Sequence, residues 1–443
     1  MDTQGQLLEL MEWAAKQAAL AGADQSEFAV RQSNGFSLTM RKAVLDSLQQ
    51  HQSRSFAVNL FFNHKKGSAS TSDFSKAAIE ETIAYAASIA RYTAADPCSG
   101  LADADDLATE FRALDLLHPW AIAPTEAIGL VNRMEEAGFA LDTRITNCRS
   151  ASFSTNRAAS VYANSLGFRG VRETTSHSMA CTLIATQDDK MESEHWYSAR
   201  CDAADLESPE DIGQHAAKNA VARLGGRSLA SQAVPVLFSP AAARSLIGHF
   251  LAAISGSQLY REASFLLGKL EQKIASSQLQ IRQDPFIPKA FGSANFDADG
   301  VATRPRLLLE DGLLQGYLLG VYSARRMGLR TTGNAGGAQN ILVQATHPTQ
   351  QALLHTMGRG LYVSDLMGQG VNLLTGDYSR GATGFWVENG EMQFPVHEIT
   401  LAGNLKDMFK KIVGVGADVE EGSSVRTGSI LIEEMMVAGS GKV

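Results

Sequence analysis

Cysteine is scarce in this sequence and is not arranged for metal binding or cross-linking. The four cysteines, Cys98, Cys148, Cys181 and Cys201, lie far apart, and no two of them form a CxxC pair. Zinc ribbons and small disulfide-rich domains both depend on closely spaced cysteines. The spacing therefore excludes a recognisable zinc ribbon and a dense disulfide framework, and it predicts free thiols in a reducing compartment.

Long apolar runs and clusters of positive charge are also missing. No segment approaches the ~18 consecutive apolar residues of a membrane-spanning helix. The N-terminal stretch "MDTQGQLLELMEWAAKQAAL" contains acidic residues and is amphipathic, unlike a signal peptide. The formal net charge is −8, and non-specific nucleic-acid binding requires clustered lysine and arginine, which the chain lacks. We expect a cytoplasmic protein that binds neither membranes nor nucleic acids.

The chain does contain enough apolar sequence for more than one core. It has 443 residues, of which 44% are hydrophobic and 19% charged, values typical of folded proteins with two or three domains. Helical and strand-like segments follow one another without regular βαβ alternation, which favours the α+β class. The stretch "GGRSLASQAVP" predicts a boundary between an N-terminal α+β domain (1–228, with a possible subdivision near 95–120) and a β-rich C-terminal domain with helices (229–443).

Turn-forming dipeptides and glycine-rich stretches predict where strands end. Asn34-Gly35, Asp311-Gly312 and Asn389-Gly390 each separate apolar segments, and each tolerates the positive φ of a tight hairpin. We therefore predict a hairpin at all three positions. The glycine-rich stretches "TTGNAGGAQN" and "LMGQGVNLLTGDYSRGATG" are predicted to be loops between elements.

Three serines carry the signature of helix N-caps. Ser75, Ser208 and Ser239 each precede an amphipathic segment. In the last of these helices, apolar residues form one stripe, and at about 100° per residue His249 lies roughly 130° from the centre of that stripe. The pattern predicts that His249 is not a core residue of its helix and faces water, a partner or a cleft.

No short motif for a zinc peptidase is present around this histidine. A hydrolytic zinc site needs three protein ligands and usually a nearby carboxylate base. The residues at the following helical positions, Phe250, Ala253 and Ile254, can neither bind a metal ion nor transfer a proton. The only His-Glu pair, His397-Glu398, lies in a strand-like stretch without a second histidine. A metal site assembled from distant residues has no sequence signal in its favour.

Several longer stretches resemble the TldD/PmbA family and, within it, the PmbA (TldE) branch. They are "NHKKGSASTSDFS", "IARYTAADPCSG", "GHFLAAISGSQLYREASFLL", "YSARRMGLRTTGNAGG" and "DLMGQGVNLLTGDYSRGATGFWVENGEMQFPVHEITLAGNLKDM". The similarity extends from about residue 30 to the C-terminus. It implies a two-subunit zinc-dependent peptidase that degrades unfolded peptides, including leader peptides and antitoxins.

The resemblance also implies where a metal site would lie and why it is lost here. In the TldD branch, a His-Glu-x-x-x-His helix supplies two zinc ligands and the base, and a later cysteine completes the site. These positions correspond here to Gly248, His249, Ala253 and Thr427. We therefore expect no metal and no cofactor in this chain, no catalytic residue of its own, and zinc in a TldD-like partner.

The stretch "GDYSRGATGFW" supplies a second group of candidate residues. It places Asp377, Tyr378, Ser379 and Arg380 between glycines, and an arginine guanidinium can bind a peptide carboxylate through paired hydrogen bonds. We predict that these residues and His249 contact a peptide or the partner subunit. The alternatives are a loop that only closes a sheet and, for His249, a solvated or hydrogen-bonded side chain.

Three hypotheses for function follow from these observations. The first is a non-catalytic subunit that pairs with a TldD-like catalytic chain, with a homodimer as an alternative assembly when the chain is alone. The second is a metallopeptidase that is active by itself through an unrecognised site. The third is a regulatory protein that modulates DNA gyrase, as an older name of the family suggests.

Overall fold

The computed structural model describes residues 4–440, and it confirms the α+β class. Helices are Gln4–Leu20 (α1), Lys76–Tyr92 (α2), Pro124–Leu141 (α3), Pro209–Ala222 (α4), Pro240–Ala253 (α5), Gly256–Leu259 (α6), Val321–Arg326 (α7), Gln350–Met357 (α8) and Leu405–Lys410 (α9). The strands in the first half are Gln25–Arg41 (β1), Val44–Phe62 (β2), Lys65–Thr71 (β3), Ile145–Asn164 (β4), Arg169–Gln187 (β5) and Lys190–Arg200 (β6).

The second half is rich in short strands, as the sequence predicts. They are Ala230–Phe238 (β7), Ile281–Gln283 (β8), Arg306–Glu310 (β9), Leu313–Leu314 (β10), Ile341–Val343 (β11), Gly360–Met367 (β12), Asp377–Glu388 (β13), Glu391–Asn404 (β14), Ile412–Val415 (β15), Val425–Arg426 (β16) and Ile430–Ser440 (β17). Among residues 4–440, no helix combines the length and apolar composition that crossing a membrane requires.

The first sheet is antiparallel, has the order β3-β2-β1-β4-β5-β6, and is covered by helices on one face. Successive residues of a strand point to opposite faces, and the buried side chains of β1 (Phe28, Val30, Leu38 and Met40) all occupy even positions. Helices α1 and α2 pack on one end of this face, and α3 and α4 pack on the other end.

The predicted hairpin at Asn34-Gly35 is wrong. Both residues lie inside the 17-residue strand β1, and the chain turns instead at Lys42 and Ala43, which have φ values of 51° and 58°. Gly35 is required for a different reason. His51 on β2 reaches across it to Asn156 on β4, with 3.3 Å between His51 Nε2 and Asn156 Oδ1, and a Cβ at Gly35 would overlap neighbouring backbone.

The three predicted helix caps and the two other predicted hairpins are confirmed. The side chains of Ser75, Ser208 and Ser239 accept hydrogen bonds from backbone N–H groups in the first turns of α2, α4 and α5. Hairpins form at the predicted dipeptides of the second half, where Asp311 and Asn389 have φ values of 49° and 53°. The helix caps and the hairpin turns each depend only on contacts between residues that are close together in the chain.

Two further sheets enclose helix α5. One has the order β10-β9-β8-β11-β16, and the other runs β14-β13-β12-β7-β17-β15. An additional pairing of β14 with β17 closes five strands of the latter into a barrel. Leu246, Ile247 and Phe250 of α5 are buried in one core with residues of both sheets. Because these three side chains lie in the core, the face of α5 that carries the half-buried His249 remains outside the centre of this core.

Candidate functional site

His249 lies on the half-buried side of α5 and faces strand β13. Its ring meets the ring of Tyr378 edge-on, with 6.1 Å between the ring centroids. Burial lowers the pKa of His249, and the Arg380 guanidinium lowers it further. The imidazole is therefore neutral at pH 7. Its Nε2 atom is buried without a hydrogen-bond partner among the described residues.

The segment that holds Tyr378 and Arg380 is a strand, so the predicted loop through "GDYSRGATG" is wrong. Residues 377–388 form β13 between β12 and β14, and side chains alternate between its faces. Tyr378 is 2% exposed, and burial raises its pKa to about 12. Arg380 Nη1 donates to Ser245 Oγ at 2.7 Å, which ties the strand to α5.

The strand separates the candidates of this group into two sets. His249, Tyr378 and Arg380 come together between α5 and β13. Asp377 and Ser379 point to the other side and are exposed. The Asp377 carboxylate accepts hydrogen bonds from Thr375 and Asn404. Ser379 is therefore not placed beside the His249 imidazole, which excludes that pair as a nucleophile and its base.

The positions that correspond to zinc ligands do not fit a zinc ion. Gly248 has no side chain, and a Cβ placed there would meet open space. Ala253 is fully buried in the core, and Thr427 is 1% exposed and donates its hydroxyl to the Gly428 carbonyl at 3.0 Å. Within residues 4–440 there is also no group of three His, Cys, Asp or Glu side chains close enough to bind a metal ion.

A cleft of about 720 Å³ lies beside α5, and we call it the α5 cleft. Its walls are one end of α5, the loop of residues 336–339, Ile341 of β11 and the start of β16, and it is lined among others by Ala252, Ser255, Ser424 and Val425. Among residues 4–440, strand β16 pairs only with β11, to which it is parallel, so it forms an edge of its sheet. A backbone edge at a cleft can pair with an extended peptide.

The loop at the α5 cleft is held by a satisfied polar network. Asn334 Nδ2 donates to Gln283 Oε1 at 2.8 Å, and Gln339 Nε2 donates to the Gly333 carbonyl at 2.9 Å. Arg306 Nη1 donates to Asn334 Oδ1 at 3.1 Å. Buried polar groups that are all paired make a segment rigid. Sequence reasoning missed this cleft, and the glycines of "TTGNAGGAQN" were its only local signal.

Asp297 fastens the same loop and makes the fold sensitive to pH. Its Oδ2 atom accepts the Ala335 N–H at 2.8 Å, and its Oδ1 atom accepts the N–H groups of Asp299 and Val301. Burial, with a smaller contribution from the Asp299 carboxylate, raises the pKa of Asp297 to about 7. In the unfolded chain an aspartate has a pKa of about 3.9. The folded protein therefore holds this proton more tightly than the unfolded chain.

We predict that Asp297 lowers the free energy of unfolding as pH rises. Because its pKa is raised on folding, its contribution becomes less favourable between about pH 4 and pH 7, where the unfolded chain has released the proton that the folded state still holds. Urea unfolding at pH 5.0 and 8.0 should show a smaller pH dependence for Asp297→Asn than for the wild type. The exposed Asp105→Asn is the control and should behave as the wild type does. Equal pH dependence in all three proteins would contradict the prediction.

Comparison with protein families covers most of the chain in three segments. Residues 27–90, 117–224 and 231–439 match the descriptions "PmbA/TldA metallopeptidase domain 1", "central domain" and "C-terminal domain", respectively. The chain is 40% identical to a protein of Escherichia coli O157:H7 named metalloprotease PmbA, over 99% of this chain and 98% of that protein.

Two solved structures extend the similarity to the whole fold. A Bacteroides thetaiotaomicron protein described as a putative modulator of DNA gyrase superposes with a TM-score of 0.93 at 27% identity, covering 99% of this chain and all of that one. TldE from Thermococcus kodakarensis has a TM-score of 0.85 at 20% identity, covering 97% of this chain and all of that one. At that identity the second likeness shows the fold alone.

Proposed function

The chain belongs to the PmbA branch of the PmbA/TldD metallopeptidase family, and on this basis we propose that it is the non-catalytic subunit of a two-subunit zinc peptidase. Its partner would be a TldD-like chain that carries the zinc ion, and the two would act in the cytoplasm on unfolded peptides such as leader peptides and antitoxins. The chain itself would contribute no catalytic residue and bind no metal or cofactor.

The observation that carries this proposal is the set of side chains at the zinc-ligand positions. Zinc ligands in proteins are cysteine, histidine and carboxylate groups, and a catalytic site needs three of them. Gly248, Ala253 and Thr427 offer none of these, and the remaining residue, His249, packs against Tyr378. A single neutral imidazole cannot hold zinc at a concentration relevant to a cell.

The α5 cleft supports a role in holding the substrate. Its volume and the unpaired side of β16 suit a peptide in extended conformation, bound through its backbone. Backbone pairing depends little on sequence, which fits a substrate class defined by being unfolded. We propose that the exposed Asp377 and Ser379 contact the peptide or the partner, while His249, Tyr378 and Arg380 hold α5 against β13.

We predict that the purified chain contains almost no zinc. After dialysis against metal-free buffer, elemental analysis should find less than about 0.1 equivalent, since three ligands are missing from the helix and from position 427. The complex with the TldD-like partner, treated in the same way, is the control and should keep about one equivalent per heterodimer. One equivalent in the isolated chain would favour the alternative, a peptidase that is active by itself.

A further inference from the structure

Two arginines lie close together on the face of the first sheet opposite its helices. In the strand register, Arg31 of β1 is opposite Ser160 of β4, and Ser160 is opposite Arg172 of β5. Val30 and Val161 belong to the core beneath the helices. Because side chains alternate along a strand, Arg31, Ser160 and Arg172 point to the other face. Neighbouring strands are about 4.8 Å apart, so the two arginine backbones are roughly 10 Å apart and both side chains can reach one group bound above Ser160.

Neither arginine forms an ion pair with a carboxylate in the part of the chain that the structure describes. Arg172 Nη2 donates to the Phe291 carbonyl at 3.0 Å, but its Nε atom is buried without a hydrogen-bond partner among residues 4–440. Arg31 forms no hydrogen bond or ion pair within the same residues. Burial lowers the pKa of the Arg172 guanidinium, and the positive charge of Arg31 lowers it further. The two side chains are therefore close enough to repel each other.

Other arginines of the same two strands do have acidic partners. Arg157 Nη2 lies 3.0 Å from Glu173 Oε1, and Arg169 Nη2 lies 3.2 Å from Glu12 Oε1. A half-buried guanidinium without a partner is costly, because burial removes the water that would solvate its charge. The missing partners of the arginine pair therefore indicate that a negatively charged ligand compensates the two charges.

A cavity of about 340 Å³ is lined by both arginines, and we call it the arginine pocket. The sheet contributes the hydroxyl groups of Ser160, Thr174 and Ser176 to its lining, and Leu116 and Phe291 contribute apolar walls. The volume is at the lower end of the range for small-molecule sites, which is about 300–1,000 Å³. Two positive charges, several hydroxyl groups and an apolar wall together suit a small organic anion.

We propose that the arginine pocket binds a small phosphate monoester, with its phosphate group between Arg31 and Arg172. Such a group carries a charge of about −1.5 to −2 at pH 7, which matches the two positive charges. Guanidinium groups bind phosphate through paired hydrogen bonds, and the hydroxyl groups of the pocket can donate others. Because both arginines reach the same point, one compact dianion compensates them better than two separated carboxylates do. The arginine pocket lies outside the α5 cleft, so this inference goes beyond the proposed function and does not depend on it.

Isothermal titration calorimetry with inorganic phosphate, followed by glycerol 3-phosphate, tests the site. At neutral pH we expect one equivalent of either compound to bind per chain. Arg31→Gln should raise both Kd values at least about tenfold, because charge-assisted hydrogen bonds are among the strongest in proteins. This variant should fold as the wild type does, since Arg31 is exposed and bonds to no other described side chain. Arg172→Gln should weaken binding in the same way, and circular dichroism verifies the fold of both variants.

Arg157→Gln is the matched control. It removes an arginine of the same sheet that points to the opposite face and pairs with Glu173, so it should leave both Kd values within about twofold. Succinate, a dicarboxylate, should bind at least about tenfold more weakly than glycerol 3-phosphate, because its two charges are separated. The inference is overturned if neither phosphate compound binds at ~10 mM, if binding is unchanged in Arg31→Gln and Arg172→Gln, or if succinate binds as tightly as glycerol 3-phosphate.

Discussion

Mixed with a flexible peptide by itself, the purified chain should leave the peptide uncut, and adding the TldD-like partner should start cleavage. We expect the rate with the partner to exceed the rate of this chain alone by at least about a thousandfold, because activation of water by zinc accounts for much of such catalysis. The chain alone should be inactive because Gly248 and Ala253 of α5 have no side-chain atom that could bind a zinc ion. Mass spectrometry of the digest, with and without a chelator, measures both rates.

A variant of this chain separates a supporting role from a catalytic one. His249→Ala, combined with the unchanged partner, should keep cleavage within about threefold of the wild type, because the imidazole packs against Tyr378 and its Nε2 atom is buried. A loss of a hundredfold or more would assign His249 a direct part in the reaction. Chelator-sensitive cleavage by the isolated chain would show that the proposal of a non-catalytic subunit is wrong.

How much of the fold can be predicted from the sequence depends on how far apart the contacting residues are. The caps at Ser75, Ser208 and Ser239 and the hairpins at Asp311 and Asn389 are all predicted correctly. Each is decided within four residues of the chain, by a side-chain oxygen that accepts a backbone N–H or by a residue that tolerates positive φ.

The errors have a common cause in contacts between distant segments. The sequence around Gly35 predicts a turn because glycine favours turns. In the structure, Gly35 instead leaves room for the contact between the side chains of His51 and Asn156, which are more than a hundred residues apart in the chain. The glycines around Tyr378 suggest a loop, but pairing with β12 and β14 makes the segment a strand of the barrel. Tertiary pairing overrides local preference at both places.

The sequence predicts only part of the candidate site, because the rest of the site also depends on contacts between distant segments. The helical period places His249 off the apolar stripe of α5, but it carries no information on which strand lies opposite. The α5 cleft is assembled from α5, β11, β16 and residues 336–339, and no single segment shows that they meet. The side chains at Gly248, Ala253 and Thr427, in contrast, can be read from the sequence once the family resemblance indicates these positions, because that step needs no knowledge of tertiary contacts.

The second large effect concerns the contact between α3 and α4. These helices approach closely at Gly213, where an added Cβ would overlap the Met134 carbonyl oxygen and lie 3.2 Å from the Gly138 backbone nitrogen. We predict that Gly213→Ala lowers the free energy of unfolding by about 2–3 kcal/mol, since backbone atoms cannot move aside as a flexible side chain can. Denaturant unfolding followed by circular dichroism measures the change.

The same substitution on the facing helix provides the control and the sharpest contrast. Gly129 in α3 is exposed, and a Cβ there would meet nothing within 4 Å. Gly129→Ala should therefore stabilise the protein by about 0.5–1 kcal/mol, because alanine loses less backbone entropy in a helix than glycine. Opposite signs for one added methyl group would establish that close backbone approach, and not helix propensity, requires glycine at position 213. Stabilisation by both changes would show that α3 and α4 can separate at little cost.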